Sequence, residues 1–230
     1  MLVPNESDRI QGCGGHLPFK FIQEMQYLQG QELSARHDKL TTIDTDAARV
    51  DELFVFNRRV GDYTGDPTVN EIVYSPATRQ LELIHSGQIS VAELAEAHIR
   101  QIERLNPLLN ALVDFDAERV RAQARQLDAT REPRGPLHGL PVTVKSSIAT
   151  AGYRCEIGST LHKGDIPKED AVVVARLRAA GALILGTTNC PEFLMAYETA
   201  NLLHGRTLNP WDFERSPGGS SGGESAAIAA

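Results

Sequence analysis

Paired cysteines, basic runs and long apolar segments are all missing from this 230-residue sequence. The sequence has three cysteines, Cys13, Cys155 and Cys190, and seven histidines. The cysteines are odd in number, and neither residue type has the spacing of metal ligands. We therefore predict free thiols and no metal or other cofactor. No stretch resembles a membrane span or a secretory leader. With 23 Lys and Arg against 30 Asp and Glu, no basic face for direct nucleic-acid binding is expected. These absences favour a cytoplasmic protein that does not bind membranes.

The sequence divides into two parts of different character. Residues 1–70 mix polar residues with scattered aromatics and keep neither a strand period nor a helix period. They are interpreted as an N-terminal extension of uncertain order, or as upstream sequence wrongly joined to the gene. Regular patterns begin near Ser75, so residues 75–230 are predicted to form the folded domain.

Two amphipathic helices are predicted in the first half of this domain. Ser90-Val91-Ala92-Glu93 has the form of a capping box, which indicates a helix start. Apolar residues follow at spacings of three and four, and Asn106-Pro107 is expected to end this helix because the residue before proline disfavours helical dihedrals. Asp116 to Ala129 predicts a second helix with Arg and Glu on its outer face.

A strand, a helix and a second strand are predicted next. LPVTVK is a short β-branched run that ends at Lys145, and ALILG is a second apolar run after Gly181. Asp170 is expected to cap a helix through Ala180 between them. This order predicts an α/β layer with parallel strands, whose chemistry lies beyond the carboxyl ends of the strands. The candidate site residues are therefore Lys145, Thr187-Thr188-Asn189 and the glycine loop that follows.

The glycine loop, GGSSGGES from Gly218 to Ser225, leaves several interpretations open. A phosphate-binding loop is disfavoured, because such a loop needs a lysine where this sequence has Glu224. A flexible connector between a strand and a helix is the structural alternative. A catalytic alternative starts from Lys145, since a lysine among apolar groups has a lowered pKa and can serve as a base for a serine. Cys190 as a nucleophile is disfavoured, because buried free cysteines usually behave as small apolar side chains.

Several motifs in a fixed order together resemble the amidase signature family. The resemblance runs from about Ser75 to the end of the chain and includes ISVAELAEAHIRQIERLNPLLNALV as an opening helix. It implies an α/β fold with a mixed β-sheet core flanked by helices, of which this chain is the N-terminal part, truncated at its C-terminus. The motifs are GLPVTVK (139–145), DAVVVARLRAAGALILGTTNCPEF (170–193), GRTLNPWD (205–212) and SPGGSSGGESAAIAA (216–230).

Matched residue by residue, this resemblance implies a catalytic apparatus. Members of the family hydrolyse linear amides, or pass ammonia from an amide, through a serine nucleophile, a cis-serine and a lysine. Lys145 corresponds to the lysine and Ser220 to the cis-serine, with a cis peptide bond between Gly219 and Ser220. Supporting roles around this pair are implied for Ser221, Gly218, Gly219, Thr187, Asn189 and Arg215.

Two departures from the family pattern affect the functional interpretation. Ser146 stands where the family usually has an acidic residue after the lysine. The nucleophile belongs to a second glycine-serine motif beyond Ser220, so this chain is expected to lack it and to be inactive alone. Three hypotheses remain: a hydrolase of small-molecule amides, an A-subunit-like amidotransferase component with glutamine as amide donor, and a non-catalytic fragment that binds a complementing chain. A homodimer and a ligand-binding module are further alternatives.

Overall fold

A computed structural model describes residues 72–130 and 132–230, so the predicted extension at residues 1–70 lies outside the described residues. The α-helices are α1 Ala77–His85, α2 Val91–Leu109, α3 Ala117–Asp128, α4 Val172–Ala179 and α5 Gly222–Ala229. The strands are β1 Leu112–Phe115, β2 Pro141–Lys145, β3 Leu183–Thr188, β4 Ala200–Asn201 and β5 Gly205–Arg206. Short 3₁₀ helices span Thr160–His162 and Glu192–Leu194.

The main sheet is mixed and has β3 at its centre, in the order β1-β3-β2. β2 and β3 are parallel and are joined through α4, which confirms the predicted strand-helix-strand unit and the α/β class. β1 pairs with the other side of β3 in the antiparallel sense. The resemblance includes Leu112 and Val113 in the opening helix, and this assignment is wrong because both residues belong to β1.

Helix α2 begins at the predicted capping box but does not end at the predicted residue. It continues through Pro107 to Leu109. Proline removes one backbone donor, and near the end of a helix only one intrahelical bond is lost. Asn106 stabilises the end of the helix, because its side-chain oxygen accepts from the backbone N–H groups of Ala111 at 2.9 Å and Leu112 at 2.7 Å.

Helix α4 lacks the predicted cap. The helix begins at Val172, and no side chain caps its first turn. Asp170 instead accepts a hydrogen bond from the backbone N–H of Ala151 at 2.7 Å and forms an ion pair with Arg178 at 3.0 Å. The prediction of an Asp170 cap is therefore wrong, because this carboxylate ties the last part of α4 to the loop after β2.

The principal apolar core lies between α2, α3 and the central strand. Helices α2 and α3 present their apolar faces to β3, as the helical periodicity predicts. Asp128 at the end of α3 also accepts from the first two backbone N–H groups of α2, at 2.8 and 2.9 Å. None of the helices in the described ranges is both long and apolar enough to cross a membrane. The buried core residues are Val91, Ala95, Ile99, Val120, Ala124, Leu127, Leu183 and Leu185.

Candidate active site

The candidate site lies where β2 and β3 end together. Lys145, the last residue of β2, is in register with Thr188, the last residue of β3. Because the strands are parallel, the segments that follow them leave from the same edge of the sheet. The backbone N–H of Ser146 donates to the carbonyl of Thr188 at 3.0 Å, which extends the pairing just beyond the strands.

Lys145 and the glycine loop meet at this edge although 75 residues separate them in sequence. The side-chain nitrogen Nζ of Lys145 lies 2.7 Å from Ser220 Oγ and 2.9 Å from Ser221 Oγ. The peptide bond between Gly219 and Ser220 is cis, as the resemblance implies. Two hydroxyl groups and one amine thus form a compact hydrogen-bonded cluster.

The environment of Lys145 makes the neutral form of its amine more accessible than in an exposed lysine. Partial burial lowers the pKa of Lys145 below its usual value, and this effect exceeds the opposing influence of Cys190 and Glu224. The direction agrees with the expectation drawn from the apolar strand. A lysine with a lowered pKa can accept a proton from a neighbouring hydroxyl.

The glycine loop is fixed by the segment that precedes β4. The hydroxyl of Thr199 donates to the carbonyl of Gly218 at 2.9 Å and accepts from the backbone N–H of Gly222 at 2.9 Å. Gly218 has a φ of +86°, a backbone conformation that residues with a side chain rarely adopt. A Cβ at Gly219 would lie 2.9 Å from the carbonyl oxygen of Ala196. The glycines therefore allow the close packing that brings Ser220 to Lys145.

Glu224 is a further residue of this cluster, and its position was not predicted from the sequence. Its carboxylate accepts a hydrogen bond from Thr143 of β2 at 2.6 Å and another from Thr188 of β3 at 3.0 Å. The sequence pattern places Glu224 in a helical first turn, where a carboxylate favours the helix dipole. Only the tertiary structure shows that it also bridges the two strands next to Lys145.

Ser146 and Cys190 form a buried contact beneath the site. Ser146 Oγ lies 3.3 Å from Cys190 Sγ, and Cys190 is 0% exposed. Burial raises the pKa of the Cys190 thiol, so the thiol remains protonated near neutral pH. This environment agrees with the interpretation of Cys190 as a buried structural residue. It also places a neutral pair where the family pattern leads one to expect a carboxylate beside the lysine.

The three predicted supporting residues outside the loop occupy different places. Asn189 lies directly after β3 and is 0% exposed, and its carbonyl accepts from the backbone N–H of Gly223 at 3.2 Å, so it contacts the loop. Thr187 is also buried but donates to the carbonyl of Arg154 at 3.2 Å. Arg215, whose side chain is 78% exposed, forms an ion pair with Asp212 at 2.9 Å. The structure thus brings Asn189 to the loop and places the polar groups of Thr187 and Arg215 elsewhere.

Metal ligands do not cluster at this site or elsewhere in residues 72–130 and 132–230, since no group of three or more His, Cys, Asp or Glu side chains could hold an ion. The arrangement present is a lysine amine in hydrogen-bond contact with two hydroxyl groups. Such a cluster can deprotonate an attacking group and later protonate a leaving group.

The sequence of this chain is similar to those of amidases and of amidotransferase subunits. A family model with the description Amidase matches residues 93–230. The A-type subunit of the glutamyl-tRNA(Gln) amidotransferase from Streptomyces coelicolor is 41% identical over 165 residues, which are 70% of this chain and 33% of the relative. The putative amidase AmiB2 of Mycobacterium tuberculosis is 41% identical over 167 residues, which are 72% of this chain and 36% of the relative.

Solved structures show the same similarity. The structure of 6-aminohexanoate cyclic dimer hydrolase matches with a TM-score of 0.63 and 38% identity, over 68% of this chain and 32% of the hydrolase. The peptide amidase from Stenotrophomonas maltophilia matches with a TM-score of 0.64 and 31% identity, over 68% of this chain and 34% of that amidase. The chain thus spans about a third of the length of the relatives that it matches.

Proposed function

Because the chain belongs to the amidase family, we propose that Lys145 and Ser220 form the proton-relay part of a site that hydrolyses carbon-nitrogen bonds in small-molecule amides. The observation that carries this proposal is the 2.7 Å contact between Lys145 Nζ and Ser220 Oγ at the edge of the sheet. The lowered pKa of Lys145 supports it, because a base must be neutral before it can accept a proton. The family relationship supports the reaction class, and the contact supports the role proposed for each side chain.

In the proposed reaction, protons move in two directions through Ser220. Neutral Lys145 accepts the Ser220 hydroxyl proton while Ser220 Oγ accepts a proton from an attacking serine, whose oxygen forms a bond to the amide carbonyl carbon. The relay then reverses, and the proton passes through Ser220 to the leaving amine as the carbon-nitrogen bond breaks. Water repeats the cycle on the acyl-enzyme and releases the acid. The attacking serine is a residue distinct from Ser220 and Ser221.

Ser221 has a separate role in this proposal. A neutral amine has one lone pair and two N–H donors, so Lys145 can accept from only one of the two hydroxyls. With Ser220 as the proton donor, Ser221 Oγ at 2.9 Å accepts an N–H of the amine. This contact would orient the lone pair toward Ser220. Ser221 is therefore expected to adjust the base, whereas Ser220 carries the proton.

A chimera tests the relay in an enzyme of full length. Residues 75–230 of this chain replace the matching third of 6-aminohexanoate cyclic dimer hydrolase, and hydrolysis of the 6-aminohexanoate cyclic dimer is followed. Lys145→Ala and Lys145→Arg are each expected to lower kcat by about 10²–10⁴-fold, since a guanidinium stays protonated and cannot accept a proton. Ser220→Ala is expected to lower kcat less, because water can replace part of the relay, and Ser221→Ala least.

Exposed Lys163 provides the matched control, because Lys163→Arg makes the same change away from the site. Circular dichroism establishes that each chimera is folded. A folded chimera in which Lys145→Arg retains near-parental kcat would show that Lys145 is only an electrostatic anchor. A folded chimera that is inactive before any substitution would contradict the proposal that this segment forms a competent relay.

Two alternatives are distinguished by the choice of substrate and partner. Similarity to the A-type subunits of glutamyl-tRNA(Gln) amidotransferases favours glutamine as the amide donor, so glutamine and a simple aliphatic amide should be compared in the same assay. A fragment that binds a complementing chain is supported by the outer edge of β2, which pairs with no strand among the described residues. Co-purification with the remaining two thirds of a relative would favour that alternative over a homodimer.

The cellular compartment is also part of the proposal. Cys155 and Cys190 are free thiols in the described part of the chain. Free thiols are typical of reducing compartments, and together with the family relationship they support a cytoplasmic enzyme.

A further inference from the structure

The same four-residue pattern, serine followed by glutamate three residues later, begins two helices in the described part of this protein. At α2, Ser90 and Glu93 form a complete capping box: Glu93 N donates to Ser90 Oγ at 3.1 Å, and Ser90 N donates to the Glu93 carboxylate at 2.8 Å. At α5, Ser221 and Glu224 occupy the same positions relative to the helix start. No side-chain cap forms there.

Both side chains of the second pattern are instead directed to the candidate site. Ser221 Oγ lies 2.9 Å from Lys145 Nζ. The carboxylate of Glu224 accepts from Thr143 and Thr188, with distances of 2.6 and 3.0 Å. Thr143 precedes Lys145 by two residues on β2, and Thr188 is in register with Lys145 on β3. The second pattern thus links the start of α5 to both strand ends.

We propose that Glu224 is a positioning residue that holds Ser220 and Ser221 against Lys145 by binding the strand hydroxyls of Thr143 and Thr188. Glu224 follows Ser220 by four residues, so fixing the first turn of α5 fixes where the loop delivers its hydroxyls. The inference takes the catalytic role of Lys145 from the proposed function, whereas the contacts of Glu224 stand without it.

The charge of Glu224 gives this role a measurable signature. Among the residues that the structure describes, two titratable groups face Lys145 from neighbouring elements: Cys190, after β3, and Glu224, on α5. The Cys190 thiol is buried with its pKa raised, so it remains neutral near pH 7. Near pH 7 the negative charge that opposes the lowering of the Lys145 pKa by burial therefore comes from Glu224. Removing that charge should lower the pKa of Lys145 further.

Competitive acetylation of the 230-residue chain with limiting acetic anhydride tests this signature. The extent of modification at each lysine is measured by mass spectrometry across pH, with the exposed Lys163 and Lys168 as internal standards. Glu224→Gln keeps the shape of the side chain and is expected to move the midpoint of the Lys145 profile to lower pH. Glu93→Gln makes the same change at the same position of α2 and is expected to leave that midpoint unchanged.

Hydrogen exchange of the loop tests the positioning itself. Thr143→Val removes one donor to Glu224, whereas Thr143→Ser keeps it. The valine variant is expected to exchange the backbone amides of residues 218–225 faster than the parent chain. The serine variant is expected to restore slow exchange, which a general packing effect of losing the Thr143 methyl group would not do.

Each outcome decides a different point. If Glu224→Gln and Glu93→Gln give the same midpoint for Lys145, Glu224 does not position the loop. The same conclusion holds if Thr143→Val and Thr143→Ser have equal hydrogen-exchange rates in residues 218–225. If Lys145 of the parent chain titrates together with Lys163 and Lys168, the neutral base of the proposed function is wrong. The exchange comparison at Thr143 then still decides the role of Glu224.

Discussion

Replacing Gly223 with alanine is expected to destabilise the protein although it removes a glycine from a helix. Gly223 is buried in the first turn of α5. A Cβ there would lie 2.6 Å from the carbonyl oxygen of Asn189 and 2.7 Å from that of Ala111, and it would also contact Asn189 N. All three are backbone atoms, and the segments around Ala111 and Asn189 that carry them form the floor of the site. They cannot move aside as the end of a flexible side chain could.

Two opposing effects set the size of the change. Alanine is favoured over glycine within a helix by about 0.5–1 kcal/mol. Overpacking typically costs about 1–3 kcal/mol, and the fixed backbone around Gly223 places this case at the upper end. The net loss is therefore about 2 kcal/mol, which corresponds to a decrease in Tm of about 4–8 °C for a domain of this size.

Thermal unfolding followed by circular dichroism measures this loss. Ser225→Ala is the matched control, because Ser225 is exposed on the same helix and its replacement should change stability by no more than about 0.5 kcal/mol. Because Gly223 N also donates to the carbonyl of Asn189, the alanine variant should exchange the amides of the loop faster as well. A Gly223→Ala protein with a Tm equal to or above that of the parent would refute the close approach on which this reasoning depends.

The remaining predictions concern His98 and the isolated chain. Burial lowers the pKa of His98 to about 4 from an ordinary 6.5, so the folded state resists protonation and stability should fall as pH decreases from 6.5 to 4. The loss is at most about 3 kcal/mol. The difference in the free energy of unfolding by urea between pH 7 and pH 4.5 should be smaller for His98→Leu than for the parent. Equal differences in the two proteins would contradict the lowered pKa of His98. The 230-residue chain alone is expected to release no ammonia from simple aliphatic amides, because the roles proposed for Lys145 and Ser220 are to relay protons and not to attack the carbonyl. Steady release that Lys145→Ala abolishes would overturn that expectation.

The contact between Lys145 and Ser220 was accessible from the sequence because two independent signals converge on it. Two short apolar runs separated by a helix predict parallel strands, whose carboxyl ends share one edge. The motif resemblance then pairs the lysine with a particular serine of the loop. The structure brings both side chains to that edge.

Residues with competing partners could not be predicted in the same way. Asp170 and Glu224 each stand at a helix start, where local rules favour a cap or an interaction with the dipole. In the structure their carboxylates bind groups distant in sequence, Ala151 and Arg178 in one case and two strand threonines in the other. Local patterns consider only partners that are close in sequence, and they contain no information about donors that folding brings close.

The end of helix α2 forms part of the floor beneath the glycine loop. Asn110, with a φ of +51°, ends the helix, and the next carbonyl, that of Ala111, accepts from Asn189 N at 2.8 Å. At about 1.5 Å per residue, the 19 residues of α2 span roughly 28 Å from the capping box to this floor. The length of α2 therefore determines where the Ala111 carbonyl lies. Deleting one of its residues would rotate the Ala111 carbonyl by about 100° around the helix axis and shift it by about 1.5 Å along that axis. The position of the loop serines is therefore set in part by the length of α2.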